Sequence, residues 1–302
     1  MFTRLTPYAT AAADQPIFRL ETRHLRWGAN PDALLQNSLR RVTKIITAIS
    51  VSWIILILIV AALSPTEDRT ENVYTVTNGA IGVLILVGTL GSLLIDFVSV
   101  TSALTSINGE LLNGRWDLLK LANIREGHFT VAKHGIAQLR AWKRMIDIIA
   151  VRLSVGVLIL GFLLMLRLSS LYSAWSLLEV IPFLAILGGL QVAYSLEALW
   201  RMRTMTAVGL MVSAYTRSPI TSPLTALGLM LGIWAVELTI VVAVGCGIVG
   251  LIFPILMFGG ELCIVPLGII GVIVGLYAFY EILKQYCLRR VAFRLASLES
   301  AP

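Results

Sequence analysis

The chain has 302 residues, of which 57% are hydrophobic and only 14% charged, with a mean hydropathy of +0.85. A water-soluble domain carries about 25% charged residues, so this composition leaves no room for a separate soluble domain and requires much of the apolar surface to face lipid. The formal charge of +7 then reads as membrane topology and not as a surface for nucleic acid.

Residues 1–13 carry no periodic signal, and Asp14 and Pro16 signal a helix start. Over 16–27, PIFRLETRHLRW, Arg19, Arg23 and Arg26 fall at i, i+4 and i+7 and share one side. Ile17, Phe18, Leu20, Leu25 and Trp27 cover the other. This pattern predicts an amphipathic helix in the membrane interface, its arginines turned toward anionic lipid headgroups or a partner; the competing reading is a solvated basic face. Asn30-Pro31 breaks the helix, and a second short helix from Asp32 leads into the first apolar run. Residues 1–43 are polar and basic, which predicts a cytoplasmic N-terminal segment without a cleavable signal, the first span serving as its own uncleaved signal.

Uncharged apolar runs of about 20 residues mark the spans. The first covers 44–63 and is followed by a polar loop over 65–77; the second covers 78–98. A polar interval then fills 107–147. The third span covers 148–166, with Arg152 near one end, and the fourth 178–200. Residues 201–222 hold three arginines and no acid and read as a loop. Ser222-Pro223 opens the fifth span, which runs to Gly245. Residues 246–261 are apolar but broken by Gly247, Gly250, Pro254, Gly259 and Gly260, the pattern of a re-entrant segment or an ordinary hydrophobic turn. The sixth span covers 262–280, and 285–302 form a tail. The expected fold is all-α and polytopic: six spans in a membrane domain over 44–284, with a cytoplasmic element at 107–147. Spans one to three and four to six share no repeat pattern.

Sorting the 24 lysines and arginines by this map puts 21 on one face, only Arg69 and Arg167 on the other, and Arg152 within span three. The positive-inside rule then predicts that both termini and the 107–147 element are cytoplasmic.

On a helical wheel from Glu110 to Leu121, Leu111, Leu112, Trp116, Leu118 and Leu119 share one arc. Glu110, Asn113, Asp117 and Lys120 share the other, and Arg115 intrudes on the apolar side. Gly109 and Gly114 punctuate the run, and Asn123 is a helix stop. A second helix follows, with Phe129, Ile136, Leu139, Trp142 and Ile146 at helical spacing. The expected picture is two short helices continuous with spans two and three.

Ile107-Asn108-Gly109-Glu110 followed by Gly114-Arg115-Trp116-Asp117-Leu118-Leu119 resembles the cytoplasmic motif of ABC-2-type transporter permeases. Arg115 stands where that family usually has Thr, and Ala122-Asn123 stands in place of its Thr-Pro. Lys133 falls where the family often has a lysine opening the helix toward span three. The resemblance implies a plasma (inner) membrane exporter subunit, with an amphipathic connecting helix before span one and re-entrant helices between spans five and six. It implies that Gly109, Glu110, Gly114, Arg115, Trp116, Asp117, Leu118 and Leu119 form a coupling helix seated in a groove of a cytoplasmic ABC ATPase subunit. There Glu110 and Asp117 would pair with basic groups on the motor, and Trp116 and Leu119 would be apolar anchors. It further implies pairing with a second permease copy or a related permease. The competing reading of this segment is a solvated pair of connector helices.

No GxxxxGK[ST] pattern occurs in the sequence, so ATP and magnesium are expected on the partner ATPase and no cofactor on this chain. No nucleophile with a base, paired catalytic acids or phosphate loop is evident, so the chain does not read as an enzyme. His24, His128 and His134 lack metal-ligand spacing, and Cys246, Cys263 and Cys287 sit in or beside apolar runs as small core residues. Asp96, Glu179, Glu197, Glu237 and Glu261 lie in or beside spans, where ionisable groups are costly. Asp96 and Glu197 fall near the cytoplasmic ends of their spans, where hydration is easy. Glu237 is about 22 Å along the helix from Ser222, which places it in the outer half of the bilayer with Glu261. Asp96, Glu237 and Glu261 are candidate translocation-path acids or interhelical hydrogen-bonding groups. Two other functions fit the same features: a non-transporting permease-like anchor or regulatory subunit, and an ATP-independent carrier coupled to protons through Glu237 or Asp96.

Overall fold

A computed structural model describes residues 7, 16–22, 31–66, 68–104, 106–112, 126–168, 177–216, 218, 220–257 and 264–297. The described residues contain helices and turns and no strand. The helices are α1 (Pro16–Thr22), α2 (Pro31–Leu63), α3 (Arg69–Leu104), α4 (Asn108–Leu112), α5 (Glu126–Leu168), α6 (Leu177–Tyr215), α7 (Thr221–Met257) and α8 (Ile264–Ser297).

Within them, the segments Pro31–Leu63, Arg69–Glu110, Glu126–Met165 and Thr221–Ile240 are long and apolar enough to cross a membrane. The stretches expected as spans four and six lie in α6 and α8, whose side chains are in part outside the described residues. Large aliphatic side chains stand exposed along α2 (Ile54, Leu58), α3 (Leu86, Leu90) and α7 (Leu231, Leu238). Each would lose about 1.5–3 kcal/mol in water relative to an apolar surrounding. Rows of them on separate helices are what a lipid-facing surface requires. The chain therefore has the fold of a helical membrane protein with several apolar helices able to span.

Local chemistry explains where the helices depart from expectation. Pro31 and Asp32 open α2, which runs unbroken into the apolar stretch for 33 residues, about 50 Å; the separate short helix expected from Asp32 is simply its first turns. The polar residues 69–77 are helical instead of a loop, with Glu71 in the first turn of α3 favoured by the helix dipole. Residues 201–215, expected as an arginine-rich loop, continue α6 to Tyr215, because Arg201 is neutralised by acids from other helices. The expected break at Cys246 is also absent. Gly247, Gly250 and Pro254 lie inside α7, which continues to Met257, as proline and glycine can in apolar helices. Residues 258–263 lie outside the described residues.

The chain divides into two compact units. The first comprises Met1–Leu35, Ile95–Trp142 and Leu199–Pro302. One of its clusters joins Ile17, Ile107, Phe129, Leu210, Val291 and Leu295, all at most 9% exposed. Ile17 and Phe18, expected to face the membrane interface, are thus packed in protein: Phe18 is 1% exposed. A second cluster packs Val100, Met205, Val208, Met230 and Cys287. Gly209 lets α6 approach α3 here, since a Cβ would lie 2.7 Å from the Val100 carbonyl oxygen and 2.9 Å from Ala103 Cβ. The second unit comprises Gln36–Leu94 and Lys143–Ala198. In it Arg41 forks onto Asp147, with Nη2 2.9 Å from Oδ2, and Tyr74 meets Phe162 edge-on at 5.7 Å between ring centroids.

Candidate functional site

The polar interval is anchored at its start. The chain turns after α3 through Ser106, whose N–H bonds the Ala103 carbonyl at 3.0 Å. Ser213 Oγ of α6 accepts from the main-chain N–H groups of Ile107 (3.1 Å) and Asn108 (3.0 Å). Those donors belong to the opening of α4 and have no intrahelical partner, so the hydroxyl acts as a cap supplied from elsewhere in the chain.

Glu110, the acid of the Gly-Glu pair, does not point to an outside cation. Its Oε1 lies 2.9 Å from Lys133 Nζ of α5. Lys133 also donates to Glu21 of α1 and sits 5.5 Å from the Phe129 ring centroid. Its side chain is 3% exposed, against 25% for Glu21 and 18% for Glu110. Arg140 adds a longer contact to Glu21, at 3.7 Å. A buried ammonium is stable only when paired and hydrogen-bonded, and Lys133 meets that requirement by tying α1 and α4 to α5. The apolar face of α5 expected from spacing is buried, with Phe129 and Ile136 at 0% and Trp142 at 4% exposure. Next to Lys133 in sequence, His134 Nε2 meets the Arg203 carbonyl at 2.8 Å. A carbonyl only accepts, so Nε2 carries the proton, and Gln138 Nε2 donates to Nδ1 at 3.0 Å.

A second ionic group lies in the same unit. Arg201 of α6 places Nε 2.8 Å from both oxygens of Asp96 of α3, and Nη1 2.8 Å from Glu237 Oε1 of α7. Trp234 Nε1 donates to Asp96 Oδ2 at 2.6 Å, and the Tyr280 hydroxyl of α8 donates to Glu237 Oε1 at 2.8 Å. Four helices therefore meet on one charge cluster. Two expectations change here. Asp96 is 0% exposed and is not hydrated at a surface. Glu237, expected apart from Asp96, is joined to it through Arg201, which lies 2.8 Å from each.

In the second unit, Arg152 is 1% exposed. Its Nη1 lies 2.6 Å from Glu197 Oε2 and also donates to the Tyr194 carbonyl. Its guanidinium carbon is 4.2 Å from the Tyr194 ring centroid. Nothing in local spacing announced either arginine's partner. The available signal was that apolar runs held about as many acids as nearby arginines.

Of the coupling, interfacial-helix and translocation-path residues singled out from sequence, Gly109, Glu110, Arg19, Asp96 and Glu237 are described. Arg19 is exposed on α1. Gly114, Arg115, Trp116, Asp117, Leu118, Leu119, Arg23, Arg26, Trp27 and Glu261 lie outside the described residues. Among the described residues no group of three or more His, Cys, Asp or Glu side chains is placed to hold a metal ion. Fold and site together define an all-helical membrane protein in which several buried charges are paired between helices and Glu110, at the start of the polar interval, is held to α5. No protein-family model, curated protein or solved structure matches the chain.

Proposed function

We propose that this chain is the permease subunit of an ATP-driven transporter of the ABC-2 type, an exporter of the plasma (inner) membrane. It has six spans and both termini in the cytoplasm. It works as a dimer with a second copy or a related permease, and the ATP is hydrolysed on separate ATPase subunits. The observation that carries this reading is the Lys133 junction. A motor that closes on ATP reshapes a membrane domain only through a stiff element attached to it. Glu110 opens the motif segment and is held by Lys133 to α5, a continuous helix of 43 residues, about 65 Å. A push on the segment beyond Glu110 is thereby passed to a rod that includes the apolar stretch 148–166. Glu110 serves in this arrangement as the internal anchor, and Trp116, Asp117 and Leu119 are the groups left to meet the motor.

Affinity purification in mild detergent tests the proposal. Wild-type chain brings down an ABC ATPase, and Trp116→Ala combined with Asp117→Ala lowers its recovery at least tenfold while the chain keeps its melting temperature. Absence of any ATPase from the wild-type sample would sink the reading. Recovery of an ATPase without ATP-dependent transport would favour an anchoring or regulatory subunit. Transport driven by a proton gradient and abolished by Glu237→Gln would favour an ATP-independent carrier, although the engagement of both Asp96 and Glu237 by Arg201 supports a structural role for these acids.

A further inference from the structure

The basic residues that open α2 divide into two kinds. Arg41 is paired with Asp147. Arg40 and Lys44 are exposed and have no carboxylate partner among the described residues. Four helical residues return the direction to within about 40°, so Arg40 and Lys44 share a face, while Arg41, at about 100° from Arg40, is the one that reaches Asp147. The described residues that line the shallow groove beside them, among them Gln36, Leu39, Thr43, Thr47 and Val51, all belong to α2, so it is an open face of that helix. Along that face cations and hydroxyls alternate, Arg40, Thr43, Lys44 and Thr47, with Leu39, 65% exposed, before them and Ala48 and Val51, the latter 48% exposed, after them. From Arg40 to Val51 is about 16 Å. The uncharged apolar run begins at Ile45, directly after Lys44, so the two cations stand at the start of the apolar stretch.

We propose that this groove holds one anionic phospholipid of the surrounding membrane, its headgroup phosphate between Arg40 and Lys44 and an acyl chain along Thr47 and Val51. The occupant follows from charge and order together. A zwitterionic lipid gains little from two uncompensated cations, and a soluble anion has no use for the apolar end. The Arg41–Asp147 pair orients the site by fixing the rotation of α2. The proposal does not depend on the transport reading above.

Native mass spectrometry of the full chain tests it. The chain is titrated with phosphatidylglycerol and with phosphatidylcholine of the same acyl chains at low ionic strength. Each basic group near a membrane surface is worth about fivefold in attraction to anionic lipid. Arg40→Gln with Lys44→Gln therefore lowers phosphatidylglycerol affinity about 25-fold and leaves phosphatidylcholine affinity within about twofold. Removing the same number of charges elsewhere, Arg289→Gln with Arg290→Gln, changes phosphatidylglycerol affinity by less than about threefold. Both double variants melt as wild type in phosphatidylcholine nanodiscs. Equal losses in the two double variants would overturn the proposal in favour of diffuse surface charge. So would wild-type affinity in the Arg40/Lys44 variant. Dissociation of a dimer in that variant with unchanged phosphatidylglycerol affinity would overturn it in favour of a second copy of the chain as occupant.

Discussion

Lys133→Met removes one ammonium while keeping much of the side chain's volume and its contact with Phe129. It leaves Glu21 and Glu110, 25% and 18% exposed, facing one another without the cation they share. Removing one partner of a buried ionic group costs about 3–5 kcal/mol. The two carboxylates keep some water and Arg140 remains 3.7 Å from Glu21, so the lower end applies, about 3 kcal/mol. For a chain of this size that corresponds to a fall of about 5 °C in melting temperature. The chain's seven tryptophans allow the transition to be followed by intrinsic fluorescence in nanodiscs. Replacing all three charges together, Lys133→Met with Glu21→Gln and Glu110→Gln, removes the orphaned carboxylates and recovers most of the loss, because a neutral cluster of similar volume is often as stable as a buried ionic one. A single variant that melts within about 1 °C of wild type would refute the junction. A triple variant no better than the single would refute the electrostatic explanation of it.

Arg201→Met strands Asp96, which is fully buried, and costs about 4 kcal/mol; size-exclusion chromatography should show loss of the monodisperse peak, which adding Asp96→Asn and Glu237→Gln partly restores. Trp234→Phe removes a single donor to a charged acceptor and lowers stability by about 2 kcal/mol in the same melting assay. Gly209→Ala forces a Cβ to 2.7 Å from the Val100 carbonyl oxygen and destabilises by about 1–3 kcal/mol. Gly232→Ala on α7, where a Cβ meets nothing within 4 Å, instead raises the melting temperature slightly, since alanine is favoured over glycine in a helix by about 0.5–1 kcal/mol.

What was legible in the sequence was local. The buried face of α5 through Phe129, Ile136 and Trp142 follows from helical spacing, and the opening of α2 from Pro31-Asp32. What was not legible depended on partners far along the chain. Hydropathy treats Arg201 as a lone charge and so ends the helix before it. Its acids are 105 and 36 residues away, and once they are counted the helix continues through Tyr215. The same distance effect hid the Arg152–Glu197 pair and the bond from Lys133 to Glu21, 112 residues apart. Glu110 illustrates the limit for the site: its place in the Gly-Glu pair was evident from sequence, and its partner was not. The apolar face of α1 was also evident, but periodicity alone does not distinguish burial against lipid from burial against Phe129 and Leu210.

The most direct measurement is ATP hydrolysis by the complex purified from native membranes and reconstituted in nanodiscs. The account predicts this chain and an ABC ATPase in one-to-one ratio, with hydrolysis that falls to the rate of the isolated ATPase when Trp116→Ala and Asp117→Ala are introduced. A purified wild-type complex that contains no ATPase, or one whose hydrolysis is unchanged by that double substitution, would contradict it.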